Sequence, residues 1–332
     1  MEFKRNAERI AWAVNDFLDR AMPLIPPLGV FLGVFLSGPF GRLRVYVPLI
    51  FGFMTFAGAL RLRFRELALT VKRPLPLVVF FAAAHGIMPL LVFLLSSLIF
   101  PGEPETVSGY VLLYSVPTAI TGLMWASIFG GDAALALTLI LLDTLLAPLV
   151  VPASVSLFLG ARVSLDMTGI AVSLILMVVV PTVAAVVLNE SSGGRAPKLM
   201  GPYLNPLSKL CMVLVIAANS AAIAPQIRLE EPRTWLITGV CIGFSVLGFA
   251  CARLWGLLIH RLRKDFSPEK QGAFFFAAAL RNTSAAMTLG IDFLPPQAGL
   301  PSVLGIIFQQ MVAAVMGRLL LSRRGRQNRA SP

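Results

Sequence analysis

Two stretches decide the fold: SVPTAITGLMWASIFGGD at residues 115–132 and AAALRNTSAAMTLGID at residues 277–292. Each is a polar, glycine-containing interval inside an otherwise apolar segment. Unwound backbone is tolerated in hydrocarbon only where it packs in protein or lines a cavity. Interrupted helices at matching places in two halves of a chain point to a binding site near the membrane midplane. The alternative is that small residues simply permit close helix packing.

The composition around these stretches is that of a membrane protein. Apolar residues make up 57% of the chain and charged residues 13%, and the mean hydropathy is +0.82. One helical crossing needs roughly 20 mostly apolar residues. We therefore predict an all-α polytopic protein whose ten spans lie near 22–38, 45–60, 75–100, 107–129, 133–160, 167–188, 206–225, 234–259, 272–291 and 299–321.

The formal charge of +12 is distributed unevenly. Lys and Arg cluster at both ends of the chain and in the links after the second, sixth and eighth spans, whereas PGEPE at 101–105 has none. This pattern predicts cytoplasmic termini and argues against nucleic-acid binding. We divide the chain into an amphipathic cytoplasmic lead-in (1–20), two five-helix repeats of opposite topology (21–160 and 161–322) and a basic cytoplasmic tail (323–332).

Several function classes lose support from the sequence. It lacks the nucleotide-binding motifs G-x-x-x-x-G-K-[ST] and G-x-G-x-x-G. We find no HExxH, no G-x-S-x-G within a span and no paired intramembrane carboxylates, so we expect no enzyme, cofactor or metal site. The three cysteines lie in apolar segments and are interpreted as small buried hydrophobes. A secondary transporter is the favoured class, and a non-transporting sensor or scaffold stays open.

Four segments carry a family resemblance: FGFMTFAGALRLRFREL (51–67), HGIMPL (85–90), VPTAITGLMWASIFGGDAALALTLILLDTLLAPLVVP (116–152) and ALRNTSAAMTLGIDFLPPQAGLPSVLGIIFQQ (279–310). In order and spacing they resemble the bile acid:sodium symporter family. The resemblance implies ten helices in inverted repeats, with spans 1, 2, 6 and 7 as a panel. The other spans would form a core in which helices 4 and 9 break and cross. Substrate would bind between panel and core, and access would alternate.

The chain departs from that family at the sodium sites. The family uses a Ser-Asn pair in the fourth span, hydroxyls in the fifth, and a Glu and a Gln in the ninth. A cation that loses its hydration shell without new ligands is strongly destabilised. We therefore predict transport without Na⁺, either proton-coupled or by uniport or exchange, although sodium sites built from backbone stay open. The corresponding residues here are Gly122, Leu123, Ala136, Ile140, Ala277 and Arg281.

Two charges lie within spans, Asp143 and Arg281. A charge at membrane depth is expensive, so it is usually paired or lines a polar pathway. Our hypothesis is that Arg281 replaces the coupling cation or engages an anionic substrate, while Asp143 neutralises it or takes up a proton. A static buried ion pair is the alternative.

Other polar residues are candidate contacts for the substrate, and each has a structural alternative. Asn282 could cap a helix, and hydroxyls could bond only to their own backbone. His85 could relay protons or bond to a carbonyl. We expect the substrate to be a small organic anion such as a carboxylate, a sterol-like acid or a keto acid, and the location to be a bacterial inner membrane. The remaining candidates are Thr118, Thr121, Thr283, Ser284, Gln309 and Gln310 in the core and Asn219 in the panel.

Overall fold

The structure, a computed structural model, describes residues 13–18, 20–21, 24–64, 74–160 and 166–321. Regular secondary structure in these ranges is helical, and the one β-feature described is an isolated bridge. The basic tail at 323–332 and most of the lead-in at 1–20 lie outside the described residues. The all-α prediction is confirmed.

In chain order the helices are α1 Ile25–Phe35, α2 Ser37–Arg42, α3 Val47–Ala59, α4 Pro74–Phe81, α5 Met88–Ile99, α6 Pro104–Ser115, α7 Thr121–Ile128, α8 Ala133–Leu159, α9 Met167–Leu174, α10 Val180–Ser191, α11 Ala196–Ile223, α12 Pro232–Leu262, α13 Pro268–Ala279, α14 Thr283–Phe293 and α15 Gly299–Leu320. Two π-helical turns, Ala82–Ile87 and Ile175–Val179, join α4 to α5 and α9 to α10. Short 3₁₀ segments are Leu43–Tyr46, Ala224–Gln226 and Pro296–Ala298.

Seven helical segments in the described ranges are long and apolar enough to cross a membrane. The predicted fourth and ninth spans are instead the broken pairs α6–α7 and α13–α14. The second predicted span, 45–60, begins earlier than predicted, because α2 and Leu43–Tyr46 continue the helical path into α3. The seven segments are Ser37–Ala59, Pro74–Ile99, Ala133–Leu159, Met167–Ser191, Ala196–Gln226, Pro232–Leu262 and Pro296–Leu320.

The chain divides into two compact units. The described residues within 1–64 and 172–226 form the first, named here the panel unit, and the described residues within 65–171 and 227–332 form the core unit. Spans 1, 2 and 7 and most of span 6 fall in the panel unit, which is close to the division that the family resemblance implies. The assignment of two inverted repeats stays a prediction.

The panel unit is built around α11, which packs against α1, α2 and α3. Gly29 and Gly33 bring α1 close to α11. A Cβ at Gly33 would collide with the Ala217 carbonyl of α11. Small residues that let backbones approach are the usual means of packing helices in lipid, where apolar burial alone gives little driving force.

The core unit exposes large apolar side chains on its surface and buries charged side chains inside. Leu98, Leu149 and Leu157 are each more than 70% exposed, whereas Asp143 and Arg281 are at most 1% exposed. This inversion fits a hydrocarbon solvent, in which exposed leucines carry no penalty and charges are retained only in protein surroundings. Together with the seven apolar helices, it identifies a multi-pass membrane protein.

Candidate transport site

The two interrupted helices of the core unit meet at their breaks. Thr118 and Arg281 form an isolated antiparallel bridge. The Ala119 N–H donates to the Leu280 carbonyl at 3.1 Å, and the Asn282 N–H donates to the Pro117 carbonyl at 2.8 Å. Each break therefore supplies hydrogen bonds that the other has lost, which is what unwound backbone at membrane depth requires.

Local sequence explains why the fourth span breaks where it does. Pro117 has no backbone N–H and disfavours helical geometry at the residue before it. Val116 is accordingly extended, with φ −63° and ψ 156°, and the α-helix resumes at Thr121. In the ninth span Leu280 is extended, and the Asn282 side chain caps α14 by accepting from the Ala285 N–H at 3.2 Å. The capping alternative for Asn282 is thus present in the structure.

The Arg281 guanidinium lies inside this crossing and is 1% exposed. It donates to the Ala84 carbonyl at 2.7 Å through Nη2 and to the Val116 carbonyl at 3.4 Å through Nη1. Helices α6 and α13 both end at the crossing, and helix C-termini carry partial negative charge. The positive guanidinium is therefore placed to stabilise these two helix ends. Carbonyl oxygens surround it as they would surround a bound cation.

The Asp143 carboxylate of α8 is fully buried on the other side of Thr118. Its Oδ2 accepts the Thr118 N–H at 2.7 Å, and its Oδ1 lies 2.6 Å from Nε2 of His85. No ion pair within 4.0 Å joins Asp143 to Arg281, although both residues are described. The two charges interact electrostatically through the crossing rather than by direct contact.

His85 occupies the π-helical turn between α4 and α5. Its ring stacks on Phe81 with centroids 5.8 Å apart, and its own carbonyl accepts from Ser154 Oγ at 3.1 Å. The expectation that a backbone carbonyl would hold the imidazole is wrong at Nε2, because the partner is the Asp143 carboxylate. Segments of π-helix are rare and often mark functional sites.

Some of the predicted hydroxyl-bearing residues form structural hydrogen bonds, and others lie at the surface of the crossing. Thr118 Oγ1 donates to the Ala277 carbonyl at 2.9 Å, so its side chain ties one break to the other helix. Thr121 is partly exposed and accepts from Gln310 Nε2 at 3.2 Å. Thr283 and Ser284 are buried in the first turn of α14, at 6% and 8% exposure.

Gln310 and Trp125 form a polar link beside the break of the fourth span. Trp125 Nε1 donates to Gln310 Oε1 at 2.7 Å. The sequence did not suggest Trp125, but its spacing of four from Thr121 places both on one helix face. The adjacent Gln309 is 4% exposed and points elsewhere, while Asn219 lies buried in α11 of the panel unit.

The sodium-site positions implied by the resemblance are closely packed. Ala136, Ile140 and Ala277 are at most 1% exposed, and a Cβ at Gly122 would lie 3.4 Å from the Phe276 carbonyl and 3.7 Å from the Ala277 Cα. Their side chains supply no oxygen. No group of three or more His, Cys, Asp or Glu side chains within the described ranges could hold a metal ion.

Broken helices that cross inside a membrane protein, with buried charges at the crossing, define the chain as a secondary transporter by class. A sequence profile of the sodium bile acid symporter family matches residues 48–227. The chain belongs to this family.

Curated relatives agree with that assignment. The chain is 38% identical over 299 residues to the uncharacterized protein YbaS of Bacillus subtilis, covering 90% of this chain and 96% of YbaS. It is 26% identical over 279 residues to the probable sodium/metabolite cotransporter BASS3 of Arabidopsis thaliana chloroplasts, covering 84% of this chain and 62% of that relative. It is 22% identical over 290 residues to the uncharacterized sodium-dependent transporter YocS of Bacillus subtilis, covering 86% of each chain.

Proposed function

We propose that this protein carries a small organic anion across the membrane by alternating access and does not require Na⁺. The observation that carries the proposal is the Arg281 guanidinium, which is fixed among backbone carbonyls at the crossing of the two breaks. It supplies a permanent positive charge where the family resemblance places a sodium-site residue. A mobile cation would find no side-chain oxygens at the neighbouring sodium-site positions.

An anionic substrate is favoured by the electrostatics of the crossing. Helices α7 and α14 begin immediately after the breaks, so their N-terminal N–H groups and dipoles favour negative charge nearby. Arg281 is too deeply buried for direct contact and would act through its potential. We expect direct contacts from the partly exposed Thr121, Asn282 and Gln310. A carboxylate such as a keto acid or a sterol-like acid fits this set.

Sodium coupling is the second candidate, because two relatives are named as a sodium/metabolite cotransporter and a sodium-dependent transporter. It would require sites built from backbone carbonyls. Two carbonyls at the crossing, Ala84 and Val116, already accept from Arg281, which argues against their availability to Na⁺.

Uptake into proteoliposomes tests the proposal, with Na⁺, pH and membrane potential each set independently. The probes are radiolabelled pyruvate, a small keto acid, and cholate, a sterol carboxylate, with empty liposomes as the measure of leakage. We expect uptake that is unchanged when K⁺ or choline replaces Na⁺. Uptake that requires a Na⁺ gradient would establish the second candidate. Thermal stabilisation by a probe without any uptake would indicate a sensor.

The proposed orientation has both termini in the cytoplasm of a bacterial cell, in its inner membrane. It rests on the clustering of Lys and Arg in alternate links. Protease accessibility of N- and C-terminal tags in right-side-out and inverted membrane vesicles provides the test. Cleavage of either tag from outside the cell would contradict this orientation.

A further inference from the structure

His85 and Asp143 form a buried dyad beside the crossing. Their Nε2 and Oδ1 atoms lie 2.6 Å apart, and the residues are 6% and 0% exposed. Neither residue belongs to the sodium-site positions implied by the resemblance. The pair joins α8 to the π-helical turn, whose Ala84 carbonyl accepts from Arg281.

The chemistry of the pair leaves one nitrogen able to bind a proton. An ionised carboxylate only accepts hydrogen bonds, so in the neutral imidazole Nε2 carries the hydrogen toward Asp143 and Nδ1 carries a lone pair. Within the described chain, the buried Nδ1 has no hydrogen-bond partner. A proton bound at Nδ1 would create an imidazolium stabilised by Asp143 at its opposite nitrogen.

The neighbouring charges determine what that proton changes. Arg281 and Asp143 are buried charges of opposite sign at the same crossing, and the un-ionised phenol of Tyr114 in α6 adds no charge to them. Arg281 contributes +1 and Asp143 −1, so the group is neutral when His85 is neutral and +1 when His85 is protonated. One bound proton would therefore balance one monovalent anion.

We propose that the His85–Asp143 dyad is the proton-binding site that couples substrate movement to the pH gradient, so that one monoanion and one proton move together without net charge. This inference rests on the proposed Na⁺-independent anion transport. The dyad is connected to both parts of the crossing. Asp143 accepts a hydrogen bond from the Thr118 N–H in the first break. The Ala84 carbonyl, in the same π-helical turn as His85, accepts a hydrogen bond from Arg281 in the second break. Protonation of His85 draws the negative charge of Asp143 toward the imidazolium, and this weakens the hydrogen bond that Asp143 accepts from the Thr118 N–H.

Protonation can be measured without any substrate. The chain has two histidines, and His260 Nδ1 lies 2.9 Å from the Phe266 carbonyl, so His260→Gln leaves His85 as the single histidine. We record ¹⁵N-histidine spectra of this variant in liposomes from about pH 8 to about pH 5 and expect them to show both the Nε2–H tautomer and the imidazolium. A single unchanged protonation state over that range would overturn the proposal.

Transport supplies the second arm, with radiolabelled pyruvate, or cholate if only cholate is carried, in Na⁺-free liposomes that are acidic outside. We expect the gradient to stimulate uptake by the parent protein and by His260→Gln, and membrane potential to have no effect. His85→Gln can still donate to Asp143 but cannot take up a proton, so its uptake should be independent of the pH gradient. A monodisperse gel-filtration profile of the variant in detergent shows that it is folded.

The two proposals fail in different ways. Na⁺-free transport that ignores the pH gradient, or gradient-driven uptake retained by His85→Gln, would overturn the dyad's role and leave the proposed function intact. A requirement for Na⁺ would overturn the proposed function itself. If His85→Gln does not fold, His85→Asn replaces it, and the histidine spectra decide independently of either variant.

Discussion

The Thr118 N–H donates to Asp143 Oδ2 at 2.7 Å, so the first residue after the proline of one break is held by a fully buried carboxylate. The same carboxylate binds His85 through its other oxygen. Asp143 therefore links three segments of the core unit: α8, the π-helical turn and the break between α6 and α7. We expect stability to be more sensitive at this position than at any surface acid.

Asp143→Asn should destabilise the protein by about 3–5 kcal/mol, the usual consequence of leaving a buried charge without its counter-charge. The buried charge here is Arg281. Asp132→Asn is the matched control on the same helix, because Asp132 caps α8 through the Leu135 N–H and Asn caps equally well. Thermal unfolding of the two variants in detergent measures the difference. Equal melting temperatures would show that Asp143 does not compensate Arg281.

Arg281→Gln should abolish uptake, and added Na⁺ should not restore it. The neutral side chain removes the positive charge, yet Gly122 and Ala277 at the other sodium-site positions still supply no side-chain oxygen. Arg281→Lys keeps the charge but loses the planar fork, so we expect partial activity. The control is Arg228→Gln, which removes an exposed ion pair with Glu231. Na⁺-dependent uptake by Arg281→Gln would contradict the replacement of a cation by Arg281.

Glu103 gives the protein an acid-sensitive contact outside the membrane spans. The Arg233 guanidinium donates hydrogen bonds to its carboxylate at 2.6 to 3.2 Å and holds the pKa of Glu103 below its ordinary value. A carboxyl group with a lowered pKa in the folded protein stabilises it above the unfolded pKa, about 4.3 for Glu, and loses that contribution as pH falls through the folded pKa.

Glu103→Gln should accordingly lower the melting temperature at neutral pH and make no difference at strongly acidic pH. The side chains of Arg233 and Glu103 are 38% and 35% exposed, so we expect at most about 1 kcal/mol. Glu105→Gln, in the first turn of the same helix, is the control. A difference between parent and Glu103→Gln that stays constant from neutral to acid pH would contradict the linkage.

Gly33→Ala should destabilise the panel unit by about 1–3 kcal/mol through overpacking. The added methyl group would collide with the Ala217 carbonyl, which is helix backbone and cannot rotate away. Gly38→Ala is the control, because nothing lies within 4 Å of a Cβ there. Melting temperatures in detergent compare the two. A stable Gly33→Ala protein would show that α1 is free to shift along α11.

The sequence was sufficient for those parts of the fold that depend on local chemistry. The polar, glycine-containing intervals at 115–132 and 277–292 predicted which two helices break, because proline and polar residues disturb a helix within a few residues of their position. The apolar spans were equally visible. The early start of the second span, at Ser37 rather than at residue 45, was missed, because Ser37–Arg42 contains few apolar residues yet forms a short helix.

The contacts of the site depend on helix rotation, which a uniformly apolar sequence does not fix. Gln309 and Gln310 are neighbours, yet only Gln310 meets Trp125 and Thr121, because successive helix residues differ by about 100° in direction. The pairing of His85 with Asp143 joins residues 58 apart in sequence. By charge alone, the expected partner of Asp143 was Arg281.

The reciprocal hydrogen bonds at the crossing restrict which mutations of the two breaks can be tolerated in evolution. Ala119 donates to Leu280 while Asn282 donates to Pro117, so the breaks cannot be repaired one at a time. A mutation that straightened the fourth helix would leave peptide groups of the ninth unpaired in a medium that offers no water. We therefore expect the two breaks to be retained together in evolution, because each break keeps its hydrogen bonds only while the other is present.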